Sequence, residues 1–429
     1  KDFNYFYTKQ EAACLPQTTG MEKKLPEIYY FNPTCEYAVA NGNKSWQPNR
    51  ILQKMEEDLG ILPLYLAQPE DIVLVRKMPD NKFLDSLQEV GVQLPELILL
   101  ENALTDKNFI ARQKNKLLPW GWSPAVHHLL EPFKASCSAD FLNSPVASWK
   151  KEHRQYYSKK FALEILKEVL SELDSEILLP QHLLTEVCSS RNDFERLLSR
   201  WGKIMVKAPW SSSGRGLQPV TKTPVHPKVW EKLIGIVNEQ GYAIAEPFLN
   251  KKLDMAFQFE IRKGKVTYLG TSYFQTDSKG QYQKNFLNGI PKFLEEEMGD
   301  FISRAREMII PALARNIEKS ELAKNYEGHF GVDTLIFTDE NDGLKINPCL
   351  EINVRQNMGL LSLELQNLSS TKRKGLFSTW YQPGKSYQTF AREMQEIYPL
   401  ILEQNKIESG FLTLTPTSFD ALFGAYLLF

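Results

Sequence analysis

Apolar and polar positions along this chain change period several times, and those changes mark its predicted elements. Residues 27–31 (Glu-Ile-Tyr-Tyr-Phe) read as a first strand, closed by Asn32-Pro33. Residues 51–59 have helical spacing, and 61–66 and 71–75 read as short buried strands. Strands alternating with helical patterns predict an α/β layer. Leu118-Pro-Trp-Gly-Trp-Ser-Pro124 is a loop by its punctuation, its tryptophans fitting packing better than a pocket wall. Residues 148–173 predict one long helix with Phe161, Ile165, Leu166, Val169, Leu170 and Leu173 on a single face. A second helix, 191–201, leads into a short apolar strand, 204–206.

Strands are expected again at 241–249, 255–262 and 265–273, the last two parted by Lys263-Gly264. Residues 291–317 carry a helical stripe of Leu294, Met298, Phe301, Ala305, Met308 and Ala312, with Pro311 as a kink point. A strand pair, 331–337 and 344–353, turns at Asn341-Asp342-Gly343. The tail from Ser370 reads as polar turns and one helix, 387–402.

Length sharpens this picture more than composition does. At 429 residues, two to four units are expected. We divide the chain into an extension (1–20, with Met21 as the natural start), an N-terminal α/β domain (21–147), two lobes (148–245 and 246–372) and a C-terminal extension (373–429). A formal net charge of −1 argues against nucleic acid as a partner. No apolar run has the length of a membrane span, so no membrane partner is expected. Five scattered cysteines, with no C-x-x-C pair, suit a reducing cytoplasm.

Two stretches carry chemistry. In Lys203–Leu217 (KIMVKAPWSSSGRGL) a short apolar strand delivers Lys207 and opens into a Ser/Gly turn. Glycines allow backbone N–H groups close to phosphate oxygens, serines add donors and the lysine adds a charge. The lysine precedes the glycines, so this is not the common P-loop. A surface turn after a core strand has the same composition, and both readings stand. The second stretch pairs Asp333 with Glu351 and Asn353. The latter two are two apart on a strand and share a face, and Asp333 can join them across the ladder. Two carboxylates and an amide oxygen suit Mg²⁺. Polar residues on a solvated sheet face are the alternative.

Together, in this order and spacing, residues 150–360 resemble the ATP-grasp superfamily, which is dominated by carboxylate–amine ligases. The resemblance implies an α+β fold of two lobes gripping ATP behind the N-terminal α/β domain. It places Lys160, ahead of Phe161, as the first phosphate lysine and Lys207 as the second. Ser211, Ser212, Ser213, Gly214 and Gly216 would form the closing phosphate loop. Glu246, Phe248 and Leu249 would recognise adenine and Asp254 the ribose. Asp333, Glu351 and Asn353 would hold Mg²⁺, with Mn²⁺ the alternative, and Arg355 would hold a substrate carboxylate or acyl-phosphate. Lys207 and Arg355 are thereby the candidate catalytic residues.

Two departures stand out. Gly331 occupies a position where some peptide ligases carry arginine, and Pro348 interrupts a strand, which predicts an edge or a bulge. The activity implied is ATP-dependent joining of a small-molecule carboxylate to an amine through an acyl-phosphate, in a chain that could form a homodimer. A kinase acting on a hydroxyl and a non-catalytic ATP-binding module are the alternatives. The loop 274–282 is read either as a substrate contact or as a plain connection. Glu36 is read as a solvated helix-start residue rather than an amine ligand, and His127, His128 and His153 as structural.

Overall fold

The computed structural model describes residues 24–211, 216–277, 280–370 and 373–429; the expectations for 1–20 and for Ser212, Ser213 and Gly214 lie outside them. The first layer is a parallel sheet of β1 (Ile28–Tyr30), β2 (Ile72–Val75), β3 (Glu96–Leu99) and β4 (Leu117–Pro119), in the order β3-β2-β1-β4. Every residue of β1 and β2 is buried, which explains their unbroken apolar sequence. Helix α1 (Cys35–Asn41) follows β1.

The strand expected at 61–66 is instead a 3₁₀ turn, Leu62–Tyr65. Pro63 at its start has a fixed φ and no N–H to give a ladder. The loop expected from 118 begins as a strand, because β4 pairs with β1 at the sheet edge and Pro119 is its last residue. Trp120 meets Phe31 edge-on at 4.8 Å, and Trp122 stacks on His127 at 4.4 Å. Both tryptophans are buried in packing.

The long helix expected at 148–173 divides into a 3₁₀ segment, Lys151–Tyr157, and α2 (Lys159–Glu172). Ser158 makes the break: extended, it caps α2 with Oγ accepting from the Phe161 N–H. An antiparallel sheet follows, built from β5 (Glu186–Cys188), β6 (Ile204–Lys207), β7 (Leu217–Val220) and β8 (Ala243–Pro247) in the order β5-β8-β6-β7. Helices α3 (Arg191–Trp201) and α4 (Pro227–Gln240) accompany it, and Phe194, Leu197, Val206, Leu233 and Ala245 form its core.

The largest sheet contains β9 (Asn250–Arg262), β10 (Lys265–Thr276), β11 (Tyr282–Leu287), β12 (Gly328–Thr338), β13 (Leu344–Asn353) and β14 (Gly375–Tyr381). A hairpin of β15 (Ile401–Glu403) and β16 (Lys406–Ser409) stands outside it, while β17 (Phe411–Thr413) and β18 (Phe423–Leu428) complete it as β13-β12-β9-β10-β11-β14-β18-β17. Lys263 and Gly264, both at positive φ, turn β9 into β10. Helix α5 (Lys292–Lys319) buries Met298, Phe301, Ala305 and Ala312 in a core shared with α2 and with Phe257, Phe259 and Phe330 of the sheet.

Pro348 lies on the edge strand β13, and the β12–β13 register shifts between Asp333 and Leu335, so edge and bulge occur together. Helix α6 (Met358–Leu365) covers part of the sheet face. The tail helix, α7 (Tyr387–Ile397), stops five residues before its expected end, with Pro399 just beyond it.

Candidate active site

The β12–β13 ladder sets Asp333 directly opposite Glu351 and Gly331 opposite Asn353. On the other side of β12, β9 places Ala256 beside Asp333 and Asp254 beside Leu335. Residues two apart on a strand share a face, so Asp333, Glu351 and Asn353 gather at one spot. Burial, reinforced by the Glu351 charge, pushes the Asp333 carboxyl up to about 7. Burial opposes ionisation of Glu351 as well, but Lys159 and Lys207 together hold its pKa below the usual carboxylate value.

Lys159 is the first residue of α2. Its Nζ lies 2.7 Å from Glu351 Oε1 and donates to the Ser211 carbonyl at 2.8 Å. Lys160, the residue favoured by the resemblance, is exposed. The Ser158 cap starts the helix so that Lys159 rather than Lys160 points inward to Glu351, since each further residue turns about 100° around the axis.

Lys207 ends β6, buried, with Nζ 2.7 Å from Glu246 Oε1. Ala208, Ser211 and Gly216 lie together just beyond it. The Ala208 N–H donates to the Gly216 carbonyl at 3.0 Å, and Ser211 Oγ donates to the Ala208 carbonyl at 3.2 Å. A Cβ on Gly216 would stand 2.2 Å from Ser211 Oγ, so close approach requires glycine there.

Phe248 and Leu249 join β8 of the smaller antiparallel sheet to β9 of the large one; Phe248 is exposed and Leu249 partly buried. Asp254 is buried, and its Oδ2 accepts from Lys251 Nζ at 2.7 Å and Thr276 Oγ1 at 2.8 Å.

Arg355 bridges this cluster to the N-terminal layer. Its Nη2 donates to Asn353 Oδ1 at 2.9 Å, and its Nε donates to Glu36 Oε1 at 3.0 Å. Burial disfavours the guanidinium charge, but Glu36, together with its other neighbours including Glu351, more than offsets this and the pKa is raised. Glu36 is therefore not a solvated helix-start residue: it is 5% exposed, and its Oε2 is buried without a hydrogen-bond partner. Gly121 makes the approach of α1 feasible, since a Cβ there would lie 2.3 Å from Cys35 Sγ and 3.1 Å from Arg355 Cβ.

His127 packs against Trp122, and burial pushes its pKa down to about 3. Among the described residues no three His, Cys, Asp or Glu side chains group to hold a metal ion, so the candidate cation donors are two carboxylates and the Asn353 amide. The facing carboxylates leave negative charge that Lys159 offsets on Glu351 alone. This hard-oxygen set fits Mg²⁺ or Mn²⁺.

Fold and cluster together bring Lys159, Lys207 and the acidic ladder to one place from segments far apart in sequence. In comparison with known proteins, no family model matches the chain. The chain is 22% identical over 318 residues, 73% of its length, to a [butirosin acyl-carrier protein]–L-glutamate ligase of Niallia circulans. The match spans 66% of that relative, just under two thirds. Among solved structures, the chain aligns over 95% of its length with 94% of an N5-carboxyaminoimidazole synthetase from Staphylococcus aureus complexed with ADP, at 12% identity and a TM-score of 0.48. A biotin carboxylase–β-γ-ATP complex from Campylobacter jejuni aligns over 94% of this chain and 87% of its own, at 13% identity and a TM-score of 0.48. Among the described residues, no helix is long and apolar enough to cross a membrane.

Proposed function

We propose that this chain is an ATP-dependent ligase that activates a carboxylate as an acyl-phosphate and joins it to an amine, releasing ADP and phosphate. The observation that carries the reading is the meeting of Lys159, Lys207, Glu351, Asp333 and Arg355 around one point. In this reading Lys159 and Lys207 exchange their carboxylate partners for phosphate oxygens, with Ser211 and Gly216 beside the triphosphate. Asp333, Glu351 and Asn353 would hold Mg²⁺, which when bound supplies positive charge beside the phosphates. Glu246, Phe248 and Leu249 would hold the adenine, and Asp254 the ribose.

A substrate carboxylate oxygen attacks the γ-phosphorus and ADP leaves. The amine then attacks the acyl carbon, phosphate departs and the amine proton is lost to solvent or a nearby base. Arg355 holds the carboxylate and then the acyl-phosphate, fixed in place by Glu36 and Asn353. Position and charge supply the catalysis. The named relative acts on a carrier protein and L-glutamate, which supports an amino-acid carboxylate or amine as one substrate. The four described cysteines are free and buried, which supports a cytoplasmic setting.

The test is ADP release against a panel of carboxylates and amines, with hydroxylamine added to trap acyl-phosphate as a hydroxamate. Carboxylate-dependent hydroxamate formation is expected. ATP binding with no turnover under any mixture would contradict the reading, as would a stable phosphorylated alcohol.

A further inference from the structure

A charged cavity lies outside the cluster described above. β10 pairs with β11 only from Tyr273 onward, so its first half offers an edge to which no strand is added, flanked by α5 and α6. The β9–β10 register shifts between Tyr268 and Gly270. Gly270 lets α6 pack closely, because a Cβ there would meet Leu363 Cδ1 at 2.7 Å. Between these elements opens a cavity of about 610 Å³, within the range of small-molecule sites. Its polar lining comes from Tyr268, Thr271, Tyr273, Arg306, His329, Glu364 and Gln366, the Tyr268 and Thr271 hydroxyls lying 2.6 Å apart; none of the lysines, acids or Arg355 of the candidate active site lines it.

Two opposite charges face this space without counterparts. Arg306 is half-buried and held by neutral hydroxyls: it donates to Tyr268 Oη at 3.3 Å, with the Tyr273 hydroxyl as a second partner. Its Nε is buried with no hydrogen-bond partner, and no carboxylate pairs with it among the described residues. Glu364 stands exposed on α6 with an Asn367 amide at 3.5 Å and no cation on it among the described residues. A guanidinium withdrawn from water without an anion is costly, and a carboxylate ligand would supply the missing charge. A phosphate would also answer Arg306, but its second negative charge would face Glu364. A ligand carrying one carboxylate and one ammonium matches both ends.

We infer that the cavity between β10, α5 and α6 binds a small zwitterion, an α-amino acid or dipeptide, with its carboxylate on Arg306 and the tyrosine hydroxyls and its ammonium toward Glu364. The ligand would rest on Leu360 and Leu363 of α6. That helix begins three residues after Arg355, and its cap, Asn357, donates to Gln258 at 2.9 Å. The cavity is thus a second site, connected to Arg355 by one short helix.

The test is calorimetric titration of the full chain with glycine, L-glutamate, L-lysine and glycylglycine, with acetate, methylammonium and inorganic phosphate as controls. At least one zwitterion is expected to bind saturably, with the controls at least about tenfold weaker. Arg306→Gln and Glu364→Gln should each weaken that binding at least about tenfold, and Lys207→Ala should leave it unchanged. Should Arg306→Gln fail to fold, Glu364→Gln, on the exposed rim, still decides. The inference is overturned if no zwitterion binds, if phosphate alone binds, or if binding survives both substitutions. Those results would leave the ligase reading untouched, since that reading is tested by ADP and hydroxamate formation.

Discussion

Lys159 Nζ and Glu351 Oε1 lie 2.7 Å apart across 192 residues of sequence, inside a shell where the lysine side chain is only 5% exposed. Neither residue has a neighbour in sequence that explains the contact. The pair is the point at which α2 docks on the edge strand of the large sheet.

Replacing that lysine should therefore cost activity far more than replacing its neighbour. Lys159→Ala is expected to lower carboxylate-dependent ADP formation by ~100-fold or more, the usual loss when one charge stabiliser of a transition state is removed. Lys160→Ala should stay within about twofold of the parent, as an exposed surface change does. Steady-state ADP release from both variants checks this. Equal losses would return the role to Lys160.

Asp333 gives the ligand-free protein a distinctive pH response. Its folded-state pKa of about 7 lies above the ordinary carboxylate value, so the folded state holds a proton that the unfolded chain releases. Stability from this group is present at low pH and lost as pH rises toward and through 7, with a slope of at most ~1.4 kcal/mol per unit. Asp333→Asn should flatten the fall between pH 5 and pH 8. Chemical denaturation across that range is the measurement, and adding Mg²⁺ should recover stability at pH 8 for the parent but not for the variant.

Glu36 and Arg355 form a buried pair whose halves should behave unequally. Glu36→Gln leaves the guanidinium without its counter-charge and is expected to destabilise by ~3–5 kcal/mol. Gly121→Ala, which drives a methyl into Cys35 and Arg355, is expected to cost ~1–3 kcal/mol by overpacking. Urea midpoints report both, with the larger shift for Glu36→Gln.

Gly216→Ala tests the turn. The added methyl would overlap Ser211, whose carbonyl receives Lys159, so nucleotide affinity should fall about tenfold or more with a stability loss of ~1–3 kcal/mol. Titration with an ATP analogue and denaturation of the same variant separate the two effects.

Much of this arrangement can be read from sequence because its signals are local. Glu351 and Asn353 share a face by the period of a strand, and Pro348 announces the edge by lacking an N–H. The apolar run Ile204–Val206 announces the short strand that ends on Lys207. What escapes is set by helix phase and tertiary packing. Lys159 and Lys160 are indistinguishable until the Ser158 cap fixes which one turns inward. Glu36 reads as a solvated helix-start residue, and its burial depends on Gly121, 85 positions later, opening room beside Arg355. The Trp-Gly-Trp sequence carries a local signal, since a glycine between two large packed rings marks a close approach. Leu62–Tyr65 escapes because an apolar run reads like a strand, while Pro63 within it has no N–H to give a ladder.

The most direct measurement follows one oxygen atom. With the carboxylate and amine that support ADP release, the carboxylate is supplied with ¹⁸O in both oxygens, and the phosphate released in a single turnover is examined by mass spectrometry. The account predicts one ¹⁸O atom in the phosphate, carried over when the acyl-phosphate breaks at its acyl carbon. Released phosphate containing none, alongside normal product formation, would contradict it.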